Sequence, residues 1–246
     1  MLQTITTIGF DADDTLWQNE EFFRLTEGRF AALLAEFADA DHLAERLLQA
    51  ERRNLGKYGF GIKGFVLSMI ETAIEVTDQK VPASVIADII AAGQEMLEHP
   101  IHLLPHAGDV VEALAGRYKL VLITKGDLLD QERKLAQSGL GALFDAVEIV
   151  SEKVPQTYIR AFMRHGDGPE RAIMVGNSMK SDVVPAIEAG GWGVHVPAKY
   201  EWEIEKAEPP LGHPKFRVLG DLGGLPDLMS ELRARAAPHA GNLASH

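Results

Sequence analysis

The sequence predicts an α/β fold in which a helical subdomain interrupts a doubly wound parallel sheet. In the second half of the chain, short apolar runs alternate with amphipathic stretches of about a dozen residues, the pattern of crossover units. These apolar runs are continuous rather than alternating, as in strands that helices cover on both faces. Residues 18–99 differ, because their apolar residues recur at three- and four-residue spacing, which is typical of amphipathic helices.

The predicted elements can be placed in order along the chain. The run "TITTIGF" (4–10) is the first predicted strand, and about four helices are predicted in the block that follows it. Later strands are predicted at 117–127, 144–153, 171–178, 192–198 and 215–220. Helices are predicted in "DLLDQERKLAQSGL", "PQTYIRAFMRHG", "KSDVVPAIEAG" and "LPDLMSELRARAAP". Residues 201–214 are expected to form an irregular surface excursion, and the core as a whole to be Rossmann-like.

These elements predict two structural units and a tail. We expect the α/β core to comprise residues 1–16 and 101–238, and the helical unit to comprise residues 17–100. Residues 239–246 are expected to be a flexible tail. Because the helical unit would join the core through two linkers, it is placed to act as a lid over one edge of the sheet.

Composition limits the classes of function. The 246 residues carry a formal net charge of −12, which argues against non-specific binding of nucleic acid. The chain has no cysteine, so disulfides, thiolate metal sites and cysteine nucleophiles are excluded. Neither a signal peptide nor an apolar run of about 18 residues is visible. We therefore expect a cytoplasmic protein, monomeric or homodimeric, without a nucleic-acid or membrane partner.

Polar and charged residues follow four of the predicted strands. They are Asp11 and Asp13, Thr124 and Lys125, Lys153, and Asn177 with Asp182 one helical turn later. Ligands bind at the carboxyl ends of the strands in open parallel sheets, so these residues are expected to lie at one edge. Clustered carboxylates repel one another and resist burial, so the acidic run is either a solvated loop or a place where a cation belongs.

The types of residue at this edge favour phosphoryl transfer. Asp11, together with Asp182 or Asn177, supplies the oxygen ligands that Mg²⁺ prefers. Lys153 supplies a fixed positive charge, and the Thr124 hydroxyl can bind phosphoryl oxygens. Lys125, next to Thr124, is a further candidate contact for the phosphate. A carboxylate nucleophile, a hard cation, a lysine and a hydroxyl together suit the transfer of phosphate to an aspartate.

Four segments resemble the four motifs of the haloacid dehalogenase-like hydrolase superfamily, in their usual order. They are "FDADDTLW", "LITKGD", "EKVPQTY" and "VGNSMKSD", and the resemblance covers roughly residues 4–198. The helical block lies where that family carries its cap domain, between the first two motifs.

The resemblance implies a role for each candidate residue. Asp11 would be the nucleophile that forms an aspartyl-phosphate, and Asp13 the acid and later the base, its backbone carbonyl also binding Mg²⁺. Thr124 would bind the phosphoryl group, and Lys153 would steady the charge on Asp11. Many members carry an aspartate where this chain has Asn177. We therefore expect Asp182 to be the anionic metal ligand, directly or through water.

Several functions are compatible with this pattern. Asp13 favours a phosphatase over a dehalogenase, because the alkoxide that leaves a phosphate ester needs a proton and a halide does not. We expect hydrolysis of a small phosphorylated metabolite, whose identity the sequence leaves open. A phosphomutase of the same superfamily is an alternative that depends on the cap. A phospho-receiver signalling protein is a further alternative, although such domains are typically half as long and lack a helical insertion.

Overall fold

The computed structural model describes residues 3–236, and the predicted tail 239–246 lies outside them. All neighbouring strands of the six-stranded sheet pair in parallel, in the order β3-β2-β1-β4-β5-β6. The strands are β1 Thr7–Phe10, β2 Lys119–Lys125, β3 Ala146–Val150, β4 Ala172–Gly176, β5 Trp192–His195 and β6 Phe216–Val218. This is the strand order of a Rossmann-like doubly wound sheet, which confirms the predicted fold class. The order reverses between β1 and β4, where a crevice for ligands is expected.

The first four helices after β1 form a block of their own, as the spacing of apolar residues predicts. They are α1 Glu20–Leu33, α2 Ala40–Tyr58, α3 Ile62–Val76 and α4 Ala83–Glu98. We call them the helical insertion. They pack around a hydrophobic cluster of their own, which includes Phe30, Leu47, Phe65, Met69 and Ile89. The exact borders of the two predicted units stay a prediction.

The remaining helices cover the two faces of the sheet. They are α5 Ala107–Leu114, α6 Leu128–Ser138, α7 Pro155–His165, α8 Val184–Glu188 and α9 Leu225–Ala236. One face carries a cluster that includes Phe10, Leu122 and Val175, and the other a cluster that includes Tyr158 and Phe162. The strands are thus buried on both faces, which explains why their sequences are continuous apolar runs. In the described part of the chain, no helix has the length and hydropathy needed to cross a bilayer.

Local signals start the helices that carry the site. The Asp127 carboxylate accepts a hydrogen bond from the Asp130 N–H at 3.3 Å and so caps α6. Pro155 is the first residue of α7, where its missing N–H has no cost. The Ser178 hydroxyl caps the turn after β4 by accepting from the Ser181 N–H at 2.9 Å. Each of these caps lies directly beside a strand end.

The helix predicted in "KSDVVPAIEAG" differs from expectation, because it begins as a π-helical turn over Met179–Val183. Pro185 has no N–H to donate to the Ser181 carbonyl four residues earlier. The Tyr158 hydroxyl donates to that carbonyl instead, at 2.7 Å, from the neighbouring helix α7. A wide turn is therefore stable here, where an ordinary helix would leave an unpaired carbonyl.

Candidate active site

The carboxyl ends of four strands open into one cavity of about 1200 Å³, a volume that includes space open to solvent. The helical insertion and the segment after β5 complete its walls. All seven predicted site residues line it: Asp11, Asp13, Thr124, Lys125, Lys153, Asn177 and Asp182. The structure thus brings them together at the expected edge of the sheet, and their individual roles stay predictions.

Asp11, Lys153 and Asp182 form a buried charged triad. The Lys153 ammonium contacts Oδ1 of Asp11 and lies 2.7 Å from Oδ1 of Asp182. The other oxygen of Asp182 accepts from the Ser178 N–H at 2.9 Å, so both of its oxygens have partners. Only 1% of the Lys153 side chain is exposed. The lysine is therefore fixed between two carboxylates and cannot swing into solvent.

The charges of this triad do not balance. Burial and the charge of Asp182 together raise the pKa of Asp11 to about 7, although Lys153 opposes both effects. Burial also disfavours the charged form of Lys153, but the two aspartates outweigh it and raise the pKa of the ammonium. One lysine thus faces two carboxylates, and a further cation would favour the ionised form of Asp11.

A side-chain oxygen of Asp11 and one of Asn177 both lie next to the Thr15 hydroxyl. The Thr15 hydroxyl lies 3.0 Å from Oδ2 of Asp11 and 3.3 Å from Oδ1 of Asn177, and it accepts from the Asn177 N–H at 3.1 Å. Among residues 3–236, no three His, Asp or Glu side chains form a ready-made metal cage. Mg²⁺ commonly binds through only one or two carboxylates, with waters and phosphate oxygens completing its shell. The donors present at this edge fit that ion.

Asp13 is held by three donors. Its Oδ1 accepts from the Trp17 indole N–H at 2.7 Å, and Oδ2 accepts from the Gln131 amide at 2.9 Å. The Lys134 ammonium lies 2.9 Å and 3.0 Å from the two oxygens. Burial alone would raise the pKa of Asp13, but Lys134, Gln131 and Trp17 stabilise the carboxylate and lower it. In this arrangement Asp13 is ionised and can accept a proton.

Asp14 lies in the turn after β1 and anchors the start of α1. Its carboxylate accepts from the backbone N–H groups of Asn19 and Glu20, at 3.0 and 2.9 Å, and so satisfies free donors at the start of α1. Its φ of 59° brings the side chain round to that helix. Asp14 thereby fixes the connection through which the helical insertion leaves the core.

Thr124 and Lys125 end β2 in different environments. The buried Thr124 hydroxyl accepts from the Gln131 amide at 3.1 Å. The Lys125 ammonium pairs with Glu205 at 2.7 Å and also donates to the Ser181 hydroxyl at 2.8 Å. Because its charge is already paired, Lys125 is less available to a phosphate than the sequence implied, and its phosphate-binding role stays a prediction.

The segment 201–214 is more than a surface excursion. Its short 3₁₀ turn at Glu203–Glu205 places the Glu205 carboxylate in the cavity wall, 2.6 Å from the Ser178 hydroxyl. Burial would raise the pKa of Glu205, but Lys125 and the serine hydroxyls lower it, so the carboxylate is charged. The expectation of an irregular loop was wrong for this part, because side-chain contacts with the site fix it.

The helical insertion touches the core beside the active-site loops. The turn between α2 and α3, Gly59–Gly61, packs on the loop after β2, where a Cβ at Gly61 would lie 3.4 Å from the Asp127 N atom. Next to it, the Lys63 ammonium lies 2.9 Å from Oδ2 of Asp127. In the surrounding stretch "GKYGFGIKG" (56–64), only residues 59–61 form a loop, and the rest belongs to α2 and α3.

A family model described as haloacid dehalogenase-like hydrolase matches residues 5–190 of the chain. The chain belongs to this family.

Individual relatives agree with this assignment. A haloacid dehalogenase-like family hydrolase from Xanthomonas campestris is 43% identical, with a TM-score of 0.85 and coverage of 95% of this chain and 94% of the other. A HAD-hydrolase from Bacillus subtilis bound to magnesium has a TM-score of 0.64 at 18% identity, over 92% and 99% of the two chains, which shows the shared fold alone. A glyceraldehyde 3-phosphate phosphatase from Methanothermobacter thermautotrophicus is 34% identical over 118 residues. This match spans 46% of the present chain and about half, 51%, of that relative.

In this haloacid dehalogenase-like hydrolase, several residues of the site were not singled out from the sequence. Gln131 and Lys134 lie three apart on α6 and so point from one face of that helix toward Asp13. This spacing could have identified them from the sequence, because a helix that follows a strand directly has its first turns near the carboxyl end of that strand. Glu205 carried no such signal, since its segment has no periodic pattern.

Proposed function

We propose that this chain is a Mg²⁺-dependent phosphatase that hydrolyses a small phosphorylated metabolite through an aspartyl-phosphate on Asp11. The observation that carries the proposal is the buried carboxylate of Asp11, bonded to Lys153 and facing a cavity that Asp13 and Thr124 also line. One relative is a phosphatase, and this supports a phosphorylated substrate, although the match covers only about half of that relative, 51%.

The proposed reaction has two displacements. A carboxylate oxygen of Asp11 attacks phosphorus, the ester P–O bond breaks, and the departing alkoxide takes a proton from Asp13, which has taken it up from the monoprotonated phosphate ester. Water then attacks the phosphorus of the aspartyl-phosphate, and inorganic phosphate leaves as Asp11 is restored. Lys153 offsets the negative charge that builds up beside Asp11, and the Thr124 hydroxyl donates to a phosphoryl oxygen. Asp13 is placed to accept the proton of the water and to pass a proton to the leaving group.

The residues that would hold Mg²⁺ are Asp11, the backbone carbonyl of Asp13, and Asn177. When bound, the ion supplies positive charge beside the phosphoryl oxygens. The Bacillus subtilis relative, which shares this fold, is bound to magnesium, and this supports the choice of ion. Because both oxygens of Asp182 already have partners, its contacts support an indirect role in which it positions Lys153.

The test is phosphate release from a panel of phosphomonoesters, with p-nitrophenyl phosphate as a general substrate. We expect release with Mg²⁺, loss of nearly all of it in EDTA, and recovery when Mg²⁺ is returned. Activity that EDTA leaves unchanged would contradict the metal requirement. Transfer of phosphate within a substrate, without free phosphate, would indicate a mutase instead, and halide release from 2-haloacids a dehalogenase.

Lys134→Met is expected to lower kcat by about 10- to 100-fold and to leave KM nearly unchanged. Methionine fills the space of the buried lysine but cannot hold the Asp13 carboxylate, so proton transfer loses its geometry. Steady-state kinetics with p-nitrophenyl phosphate measure both constants. Lys119→Met removes a half-exposed lysine of β2 and is the matched control. A rise in KM at unchanged kcat would show that Lys134 serves binding and does not position Asp13.

A further inference from the structure

The cavity extends from the site into the helical insertion, where its lining is acidic and aromatic. Three carboxylates reach it from the insertion, Glu20 and Glu27 from α1 and Glu51 from α2. Two aromatic side chains stand beside them: Phe60 of the α2–α3 turn and Trp202, whose rings meet edge to face with centroids 6.1 Å apart. We call these five residues the acidic subpocket.

The cations of the protein balance only part of this charge. Arg24 lies 3.0 Å from Oε1 of Glu20 and 3.3 Å from Oε2 of Glu27, so one guanidinium serves two carboxylates. Glu51 is only 8% exposed, yet it forms no ion pair within residues 3–236. The Trp202 indole and the charge of Arg24 favour its ionised form and so lower its pKa, but burial outweighs both. A buried acid that lines a cavity without a cationic partner is an unusual arrangement in a folded chain.

Glu51 is unfavourable for the stability of the helical insertion. Burial and the neighbouring carboxylates of Glu27 and Glu20 together raise the pKa of Glu51 to about 8, so ionisation at this position is costly. Its neighbours on the buried side of α2 include Leu47, Ala50 and Asn54, and an apolar residue would continue that face without penalty. The carboxylate therefore has a use that packing does not explain.

We propose that the acidic subpocket binds an ammonium group of the substrate, so that this enzyme acts on phosphomonoesters that carry an amine. The inference rests on the proposed phosphatase function. An ammonium ion beside Glu51 would supply positive charge, and the face of Trp202 can attract it, whereas the face of Phe60 already carries Lys125, whose ammonium lies 3.8 Å from the ring centroid. The substrate would then place its phosphate at Lys153 and its amine in the insertion, which gives each end of the cavity a partner of opposite charge.

The test compares esters that differ only in the amine. Glucosamine 6-phosphate is paired with glucose 6-phosphate, and 2-aminoethyl phosphate with 2-hydroxyethyl phosphate, for wild type and Glu51→Gln. We expect the wild type to prefer the amine in at least one pair by about tenfold or more in kcat/KM, as for a charge-assisted hydrogen bond. Glu51→Gln should remove the preference and leave p-nitrophenyl phosphate hydrolysis within about threefold. Glu95→Gln, which removes an exposed carboxylate of α4, should change nothing.

The outcomes separate this inference from the proposed function. If the wild type fails to hydrolyse p-nitrophenyl phosphate and every other phosphomonoester, the proposed function fails. If it hydrolyses them but treats both members of each pair alike, or if Glu51→Gln slows both members equally, the ammonium site is wrong. Inhibition of the wild-type enzyme by phosphonates tests the ammonium site without any variant. 2-Aminoethylphosphonate should inhibit at least about tenfold better than ethylphosphonate, and equal inhibition would contradict the ammonium site.

Discussion

Asp11→Asn is expected to reduce phosphate release by more than about 10⁴-fold, because an amide oxygen is a poor nucleophile and the aspartyl-phosphate cannot form. The near-identical shape of asparagine keeps the Thr15 contact and the packing at the end of β1. Phosphate release should be measured at saturating Mg²⁺ over long incubation. Asp88→Asn, an exposed change on α4, is the matched control and should keep full activity. Unchanged turnover in Asp11→Asn would place the nucleophile elsewhere.

The same variant should be more stable than the wild type when metal is removed. The folded-state pKa of Asp11 is raised to about 7, above its ordinary value of 3.8. A raised pKa means that the stability of the protonated form is lost as pH rises through about 7. Asparagine cannot ionise, so Tm in EDTA at pH 8 should be higher for the variant, and the difference should shrink toward pH 5. A lower Tm at pH 8 would contradict the unfavourable charge at Asp11.

Lys153→Met is expected to have the largest effect on stability. It leaves the carboxylates of Asp11 and Asp182 buried together without a cation, which costs about 3–5 kcal/mol when one partner of a buried pair is removed. Activity should also be lost, because the ammonium that offsets negative charge beside Asp11 is then missing. Denaturant unfolding measures the first effect. The loss should be smaller at pH 5 than at pH 8, since protonation of Asp11 relieves the repulsion.

A double variant distinguishes the electrostatic cause from a packing defect. Asp182→Asn in the Lys153→Met background removes one of the two opposed carboxylates. Stability should recover by about 1 kcal/mol or more, whereas activity should not return. If the double variant is as unstable as Lys153→Met alone, the loss comes from packing of the lysine stem and not from its charge.

The sequence predicts those parts of the site that the topology alone brings together. Asp11, Thr124, Lys153 and Asn177 each follow a parallel strand, and such strand ends must meet at one edge of the sheet. The partners of these residues were harder to find. Lys134 depends on the angle at which α6 leaves β2, and Glu205 on side-chain contacts of a segment without periodicity.

The errors in secondary structure have physical causes of the same kind. Helix α5, Ala107–Leu114, received no assignment because it is short, although Val110, Val111 and Leu114 bury one face of it. The π-helical turn before α8 depends on a hydrogen bond from Tyr158, a residue more than 20 positions earlier in the chain. Local patterns carry no information about such distant partners.

The two carboxylate oxygens of Asp127 bind partners in different parts of the fold, the helical insertion and helix α6. Oδ1 accepts from the first turn of α6, and Oδ2 binds Lys63 at the start of α3. Helix α6 in turn carries the amide and the ammonium that hold Asp13. If α3 moves away to admit a substrate, the Lys63 contact breaks and the first turn of α6 gains an uncompensated negative charge. Entry of substrate and the position of the Asp13 carboxylate would then be linked through a single side chain.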